Sequence, residues 1–80
     1  MIENACRTLT SQFNDLQEGM TGCLLPQTDE DERFVDVEFV IDGKLHIETI
    51  PDCLLRQATA EESKQFIDAT WDVYDKMNWN

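Results

Sequence analysis

From Phe34 to Ile50 apolar and polar positions alternate with the two-residue period of a half-buried strand. Val35, Val37, Phe39 and Ile41 alternate with Asp36, Glu38 and Val40. Past Asp42-Gly43, Leu45, Ile47 and Thr49 alternate with Lys44, His46 and Glu48. The pattern predicts a β-hairpin, and the faces that must meet select its turn. A two-residue Asp42-Gly43 turn pairs Ile41 with Lys44, Phe39 with His46 and Glu38 with Ile47, which mixes apolar and charged side chains on both faces. A three-residue Ile41-Asp42-Gly43 loop with a glycine bulge pairs Val40 with Lys44 instead. Phe39 then meets Leu45, Val37 meets Ile47 and Val35 meets Thr49, so one face is wholly apolar. Because a one-residue slip sends a whole strand to the wrong face, the three-residue loop is expected. It sets Glu38 opposite His46 and Asp36 opposite Glu48, the latter a repulsive pair.

Upstream, Ile2, Cys6, Leu9, Phe13 and Leu16 recur at spacings of four and three. This predicts an amphipathic helix over residues 2–16, with Gly19 as its stop. Residues 19–25 read as a third strand ended by Pro26. A polar loop follows from Gln27 to Arg33, and its run Asp29-Glu30-Asp31-Glu32 is too concentrated in like charge to be buried. That run is no calcium loop, because Phe34 and Val40 occupy the positions where glycine and the bidentate glutamate belong.

Pro51 to Leu55 reads as a short helical turn or bend, and Arg56 to Ala58 as a last short strand. Thr59-Ala60-Glu61-Glu62 is a capping box, and it opens a helix over residues 60–77. Phe66, Ile67, Thr70, Trp71, Tyr74 and Met77 are expected on the inner face of this helix. Glu61, Lys64, Asp68, Asp72 and Asp75 lie opposite. The fold class expected is α+β in a single domain over residues 1–80. A small antiparallel sheet, the 34–50 hairpin plus strand 19–25, carries both helices on its apolar face. A two-stranded α-β-β-α arrangement is the alternative.

Charge changes the picture more than composition does. Seventeen acidic residues against 6 basic ones leave a net charge of -11. Contacts to phosphates need clustered Lys and Arg, so direct nucleic-acid binding is disfavoured, as is an anionic membrane surface. A basic partner is favoured. Solubility alone is an equally simple reading of the same charge. No apolar run is long enough to cross a bilayer, and no signal segment is evident near Met1. The odd set Cys6, Cys23 and Cys53 lacks the dense pairing of a secreted scaffold. A cytoplasmic protein with reduced thiols is expected.

Candidate chemistry is sparse. His46 is the only histidine; it is assigned to the polar hairpin face, away from the cysteines a nucleophilic dyad would need. The cysteines lack the close ligand pairs of structural zinc sites. Carboxylate pairs abound, but acid–base work needs a cleft that drives two pKa values apart. No enzyme, metal or cofactor is expected.

Leu16-x-x-Gly19-Met20-x-Gly22, the strand with Val35, Val37 and Phe39, the turn at Gly43, the strand with Leu45 and Ile47, and Pro51-x-x-Leu54-Leu55 together resemble small β-barrels of the KOW type over residues 16–58. The resemblance implies a small barrel that binds nucleic acid or protein. The acidic loops depart from the nucleic-acid-binding members and leave protein contact. In overall character the chain is similar to small acidic phage and mobile-element inhibitors that imitate DNA, including anti-restriction and anti-CRISPR proteins.

The expected function is therefore that of a non-catalytic inhibitor or regulator. It would cover a basic, nucleic-acid-binding surface of a partner protein, with carboxylates standing in for phosphates. Candidate contacts are Asp29, Glu30, Asp31, Glu32, Asp36, Glu38, Glu48, Asp68, Asp72 and Asp75, with Trp79 as an aromatic anchor. The alternative is a small accessory or adaptor subunit with a KOW-type barrel, docking through apolar surface.

Overall fold

A computed structural model describes residues 5–26 and 33–77. Among these residues five strands precede one helix: β1 (Cys6–Leu9), β2 (Thr21–Leu24), β3 (Phe34–Ile41), β4 (Lys44–Pro51), β5 (Leu55–Gln57) and α1 (Ala60–Met77). A 3-10 turn over Asp52–Leu54 joins β4 to β5. The strands form one sheet in the order β4-β3-β2-β1-β5, and every neighbouring pair is antiparallel. The expected α+β class, the hairpin, the third strand, the last short strand and the C-terminal helix are all present.

The helix expected over residues 2–16 is not. Residues 2–4 lie outside the described residues, while Cys6–Leu9 is a strand flanked by β2 and β5. Residues 10–20 form a folded loop. Phe13 and Leu16 exchange backbone hydrogen bonds at 3.0 and 2.9 Å around Asn14-Asp15, and Asn14 takes a left-handed φ of 52°. Thr8, Thr10, Ser11 and Asn14 are poor helix formers, and Asn14-Asp15 and Glu18-Gly19 are turn formers. Of the residues that share the three-four spacing, Leu9, Phe13 and Leu16 reach one core, from the strand and from either side of the Asn14-Asp15 turn, whereas Cys6 stands on the other face of the sheet.

The hairpin register also differs. Ile41 pairs with Lys44, Val40 with Leu45, Phe39 with His46, Glu38 with Ile47, Val37 with Glu48, Asp36 with Thr49 and Val35 with Ile50. The turn is thus the two-residue Asp42-Gly43, with φ of 53° and 75°. Two positive φ values define the hairpin turn whose twist matches the strands, and Asp-Gly supplies them with little strain. Mixed pairs cost little here because β4 is an edge strand: Phe39 is fully buried, while His46 and Lys44 at the margin stay exposed. In return Val40 meets Leu45, Val35 meets Ile50, and the Thr49 hydroxyl donates to Asp36 at 2.7 Å.

Side chains alternate across a sheet, and both faces of this one are covered. On the inner face Leu9, Val37, Phe39 and Ile50 pack with Leu16, bordered by Phe13, Met20, Leu24, Val35, Ile41, Leu54 and Leu55. Gly22 lies there because β3 passes too close for a side chain: a Cβ would stand 2.5 Å from the Glu38 carbonyl and 2.9 Å from the Phe39 ring. The other face carries Cys6, Thr8, Thr21, Cys23, Glu38 and Val40. α1 packs on that face, not on the large apolar one.

Edge strands β4 and β5 are consecutive in the chain, and Leu55 lies four Cα-to-Cα steps beyond Pro51. Such a link reaches at most roughly 14 Å. Opposite edges of a flat five-stranded sheet would be about 19 Å apart, so the sheet must curl around its inner core. Thr10 ties this end down, its N–H and hydroxyl donating to the Leu54 carbonyl at 2.8 and 3.0 Å.

Candidate partner-binding face

α1 begins where its capping box predicts. The Glu62 N–H donates to the Thr59 hydroxyl at 3.1 Å, and the Thr59 N–H donates to the Glu62 carboxylate at 2.9 Å. Glu62 also receives Arg56 through both oxygens, at 2.8 and 2.9 Å, and the Thr8 hydroxyl at 3.1 Å. Its pKa is held down to about 2, first by the Arg56 guanidinium and then by the Thr59 N–H. One carboxylate thereby fixes the helix start against β5 and β1.

With its start pinned, α1 can bury only one stripe. Ser63, Phe66, Thr70 and Val73, at spacings of three, four and three, are buried, and the Thr70 hydroxyl satisfies itself on the Phe66 carbonyl at 2.9 Å. Phe66 and Thr70 lie inside as expected, and Ile67 is half-buried beside them. Trp71 and Tyr74 do not: they are 68% and 40% exposed. A helix rotates about 100° per residue, so Trp71 follows Asp68 and precedes Asp75 on the stripe opposite Phe66. The exposed face of α1 therefore sets Trp71 and Tyr74 among Asp68, Asp72 and Asp75. The same three-four spacing that marks the aspartates includes Trp71 between Asp68 and Asp75, the one signal in the sequence that sets it on their side of the helix. Lys76 approaches Asp72 at 3.9 Å, but both are largely exposed, and such pairs contribute little.

The remaining candidate carboxylates do not converge. Asp36 and Glu38 stand on the helix side of β3, opposite Thr49 and Ile47, whereas Glu48 pairs with Val37 and points to the other face. The expected Glu38–His46 and Asp36–Glu48 pairs are absent, because the register is shifted by one. Asp29, Glu30, Asp31, Glu32 and Trp79 lie outside the described residues. Ile47, expected inside, is 60% exposed on edge strand β4. Its position follows from the register.

His46 and the pair Cys6 and Cys23 point to opposite sheet faces, and Cys53 is exposed in the 3-10 turn. Among the described residues no cluster of three or more His, Cys, Asp or Glu side chains could hold a metal ion. Among them, too, no helix is long and apolar enough to cross a membrane. No protein-family model matches the chain, and neither a curated protein nor a solved structure does.

Proposed function

We propose that this is a non-catalytic, acidic protein-binding module that covers a basic surface of a partner, with the exposed face of α1 as its contact. The reading rests on one observation: a largely exposed tryptophan flanked by Asp68, Asp72 and Asp75 on a helix whose opposite side is anchored to the sheet. Trp71 supplies a rigid apolar anchor of the kind that dominates interface energetics. It also offers a π face to an arginine or lysine, and the aspartates draw that cation in. A surface that normally holds nucleic acid has this chemistry, and occupation by carboxylates would exclude the phosphates, as DNA-mimic inhibitors of the anti-CRISPR and anti-restriction kind do. The curled five-stranded sheet with its edge-joining turn supports reading the scaffold as a small barrel of KOW type.

Capture of partners from a lysate by the tagged protein, washed at low and at high salt, tests this. Basic nucleic-acid-binding proteins that elute with salt, and fail to bind an Asp68→Asn, Asp72→Asn, Asp75→Asn variant, are the expected result. Capture unaffected by both would end the proposal. A second reading, an adaptor docking through apolar surface, is favoured by exposed Ile47 on the edge of β4. It requires capture that survives high salt and is lost on Ile47→Ser.

A further inference from the structure

β1 and β2 bring two thiols together. Cys6 and Cys23 are direct cross-strand partners, one register step beyond Arg7–Gly22. The Leu9 N–H donates to the Met20 carbonyl at 2.9 Å, and the Cys6 carbonyl is turned the other way, accepting from Ala58 of the β5 side at 3.2 Å. Hydrogen-bonded and non-hydrogen-bonded pairs alternate along an antiparallel ladder, so Leu9–Met20 and Arg7–Gly22 are of the first kind. Cys6–Cys23 and Thr8–Thr21 are of the second. Non-hydrogen-bonded partners have Cα atoms roughly 4.5 Å apart and their side chains closest, within the span a disulfide bridges. The neighbouring pair of the same kind confirms the approach, since the Thr8 and Thr21 hydroxyl oxygens are 2.7 Å apart. Both thiols stand on the helix side of the sheet, Cys6 fully buried and Cys23 partly open, and both are free.

We propose that Cys6 and Cys23 form a reversible dithiol–disulfide site that a low-molecular-weight disulfide such as oxidised glutathione converts to a cross-strand bridge. The more accessible Cys23 thiolate attacks one sulfur of the oxidant, forming a mixed disulfide and releasing one thiol. Cys6 Sγ, once deprotonated, then attacks Cys23 Sγ. The Cys6–Cys23 bond forms, the mixed bond breaks and the second thiol leaves. Two protons and two electrons pass from the cysteines to the oxidant, which ends as two thiols. The bridge ties β1 to β2 and closes the loop that carries Phe13, Leu16 and Met20 into the core. Exchange needs the thiolate. Burial, then the neighbouring Cys6 and Glu38, raise the Cys23 pKa, so the reaction quickens at mildly alkaline pH.

Trypsin separates the three cysteines, because Arg7, Arg33, Lys44 and Arg56 place each in its own peptide. The full chain and a Cys53→Ser variant would be incubated at about pH 8.5 with oxidised glutathione, blocked with an alkylating reagent and mapped by mass spectrometry. The expected product in both is the linked pair of peptides carrying Cys6 and Cys23, reversed by dithiothreitol. It should come with a Tm higher by roughly 10 °C, since the bridge constrains the unfolded chain. Glutathione retained on Cys23 without the bridge, bridges only through Cys53, or no reaction would each overturn the proposal. A bridge that left Tm unchanged or lower would overturn it as well, because it would report pairing outside the native sheet.

Discussion

Glu62 joins three parts of the chain through one carboxylate: the Thr59 cap, Arg56 on β5 and Thr8 on β1. Its folded-state pKa of about 2 lies below the ordinary 4.5, so ionised Glu62 stabilises the folded state. That contribution is complete above about pH 4.5 and disappears as pH falls through about 2. Glu62→Gln keeps an acceptor for the cap but loses the charged fork with Arg56. The variant should be about 1 kcal/mol less stable at pH 7, a modest figure because Arg56 is half in solvent. The gap to the native protein should close between pH 4.5 and 2, as read by urea unfolding across that range. A gap independent of pH would assign the loss to packing instead of charge.

At the scale of elements, the face that α1 buries determines where a partner can bind. Phe66 is 4% exposed and Trp71 is 68% exposed, although both are large aromatic residues on one helix. Phe66→Ala should cost about 3 to 4 kcal/mol through the cavity it opens, and Trp71→Ala should stay within about 0.5 kcal/mol of the native protein. Thermal denaturation of the two variants distinguishes them, and partner capture should respond in the opposite order. The hairpin follows the same logic. Face matching along Phe34–Ile50 assumes that both strands are covered alike, but β3 is interior and β4 is an edge. Turn chemistry at Asp42-Gly43 therefore decides the register, and Ile47 turns outward as a consequence.

For the whole molecule, a net charge of -11 on 80 residues makes the folded state repel itself. Screening shortens the range of that repulsion to about 10 Å at 0.1 M salt. Raising sodium chloride from about 20 mM to 300 mM should therefore increase Tm by several degrees. A flat or falling Tm in a salt series would mean that favourable pairs such as Arg56–Glu62 outweigh the repulsion.

What was legible in the sequence depended on how far apart the interacting residues are. The start of α1 follows from Thr59 and Glu62, three residues apart, and the hairpin from alternation interrupted by Asp-Gly. The last short strand and the 3-10 turn sit beside a proline and a capping box that bound them from both sides. Each of these rests on geometry contained within a few neighbouring residues, and acidity is a sum that needs no fold at all. Three things required the assembled chain. Cys6–Leu9 is a strand because β2 and β5 pair with it from opposite ends of the sequence, whereas its local spacing fits a helix as well. Glu48 and Glu38 part to opposite faces because a two-residue turn sets the register. Trp71 reaches solvent beside three aspartates because the sheet accepts the stripe Ser63, Phe66, Thr70 and Val73. Hydrophobic spacing shows which residues share a side of a helix or strand; only the partners folded against it decide which side is buried.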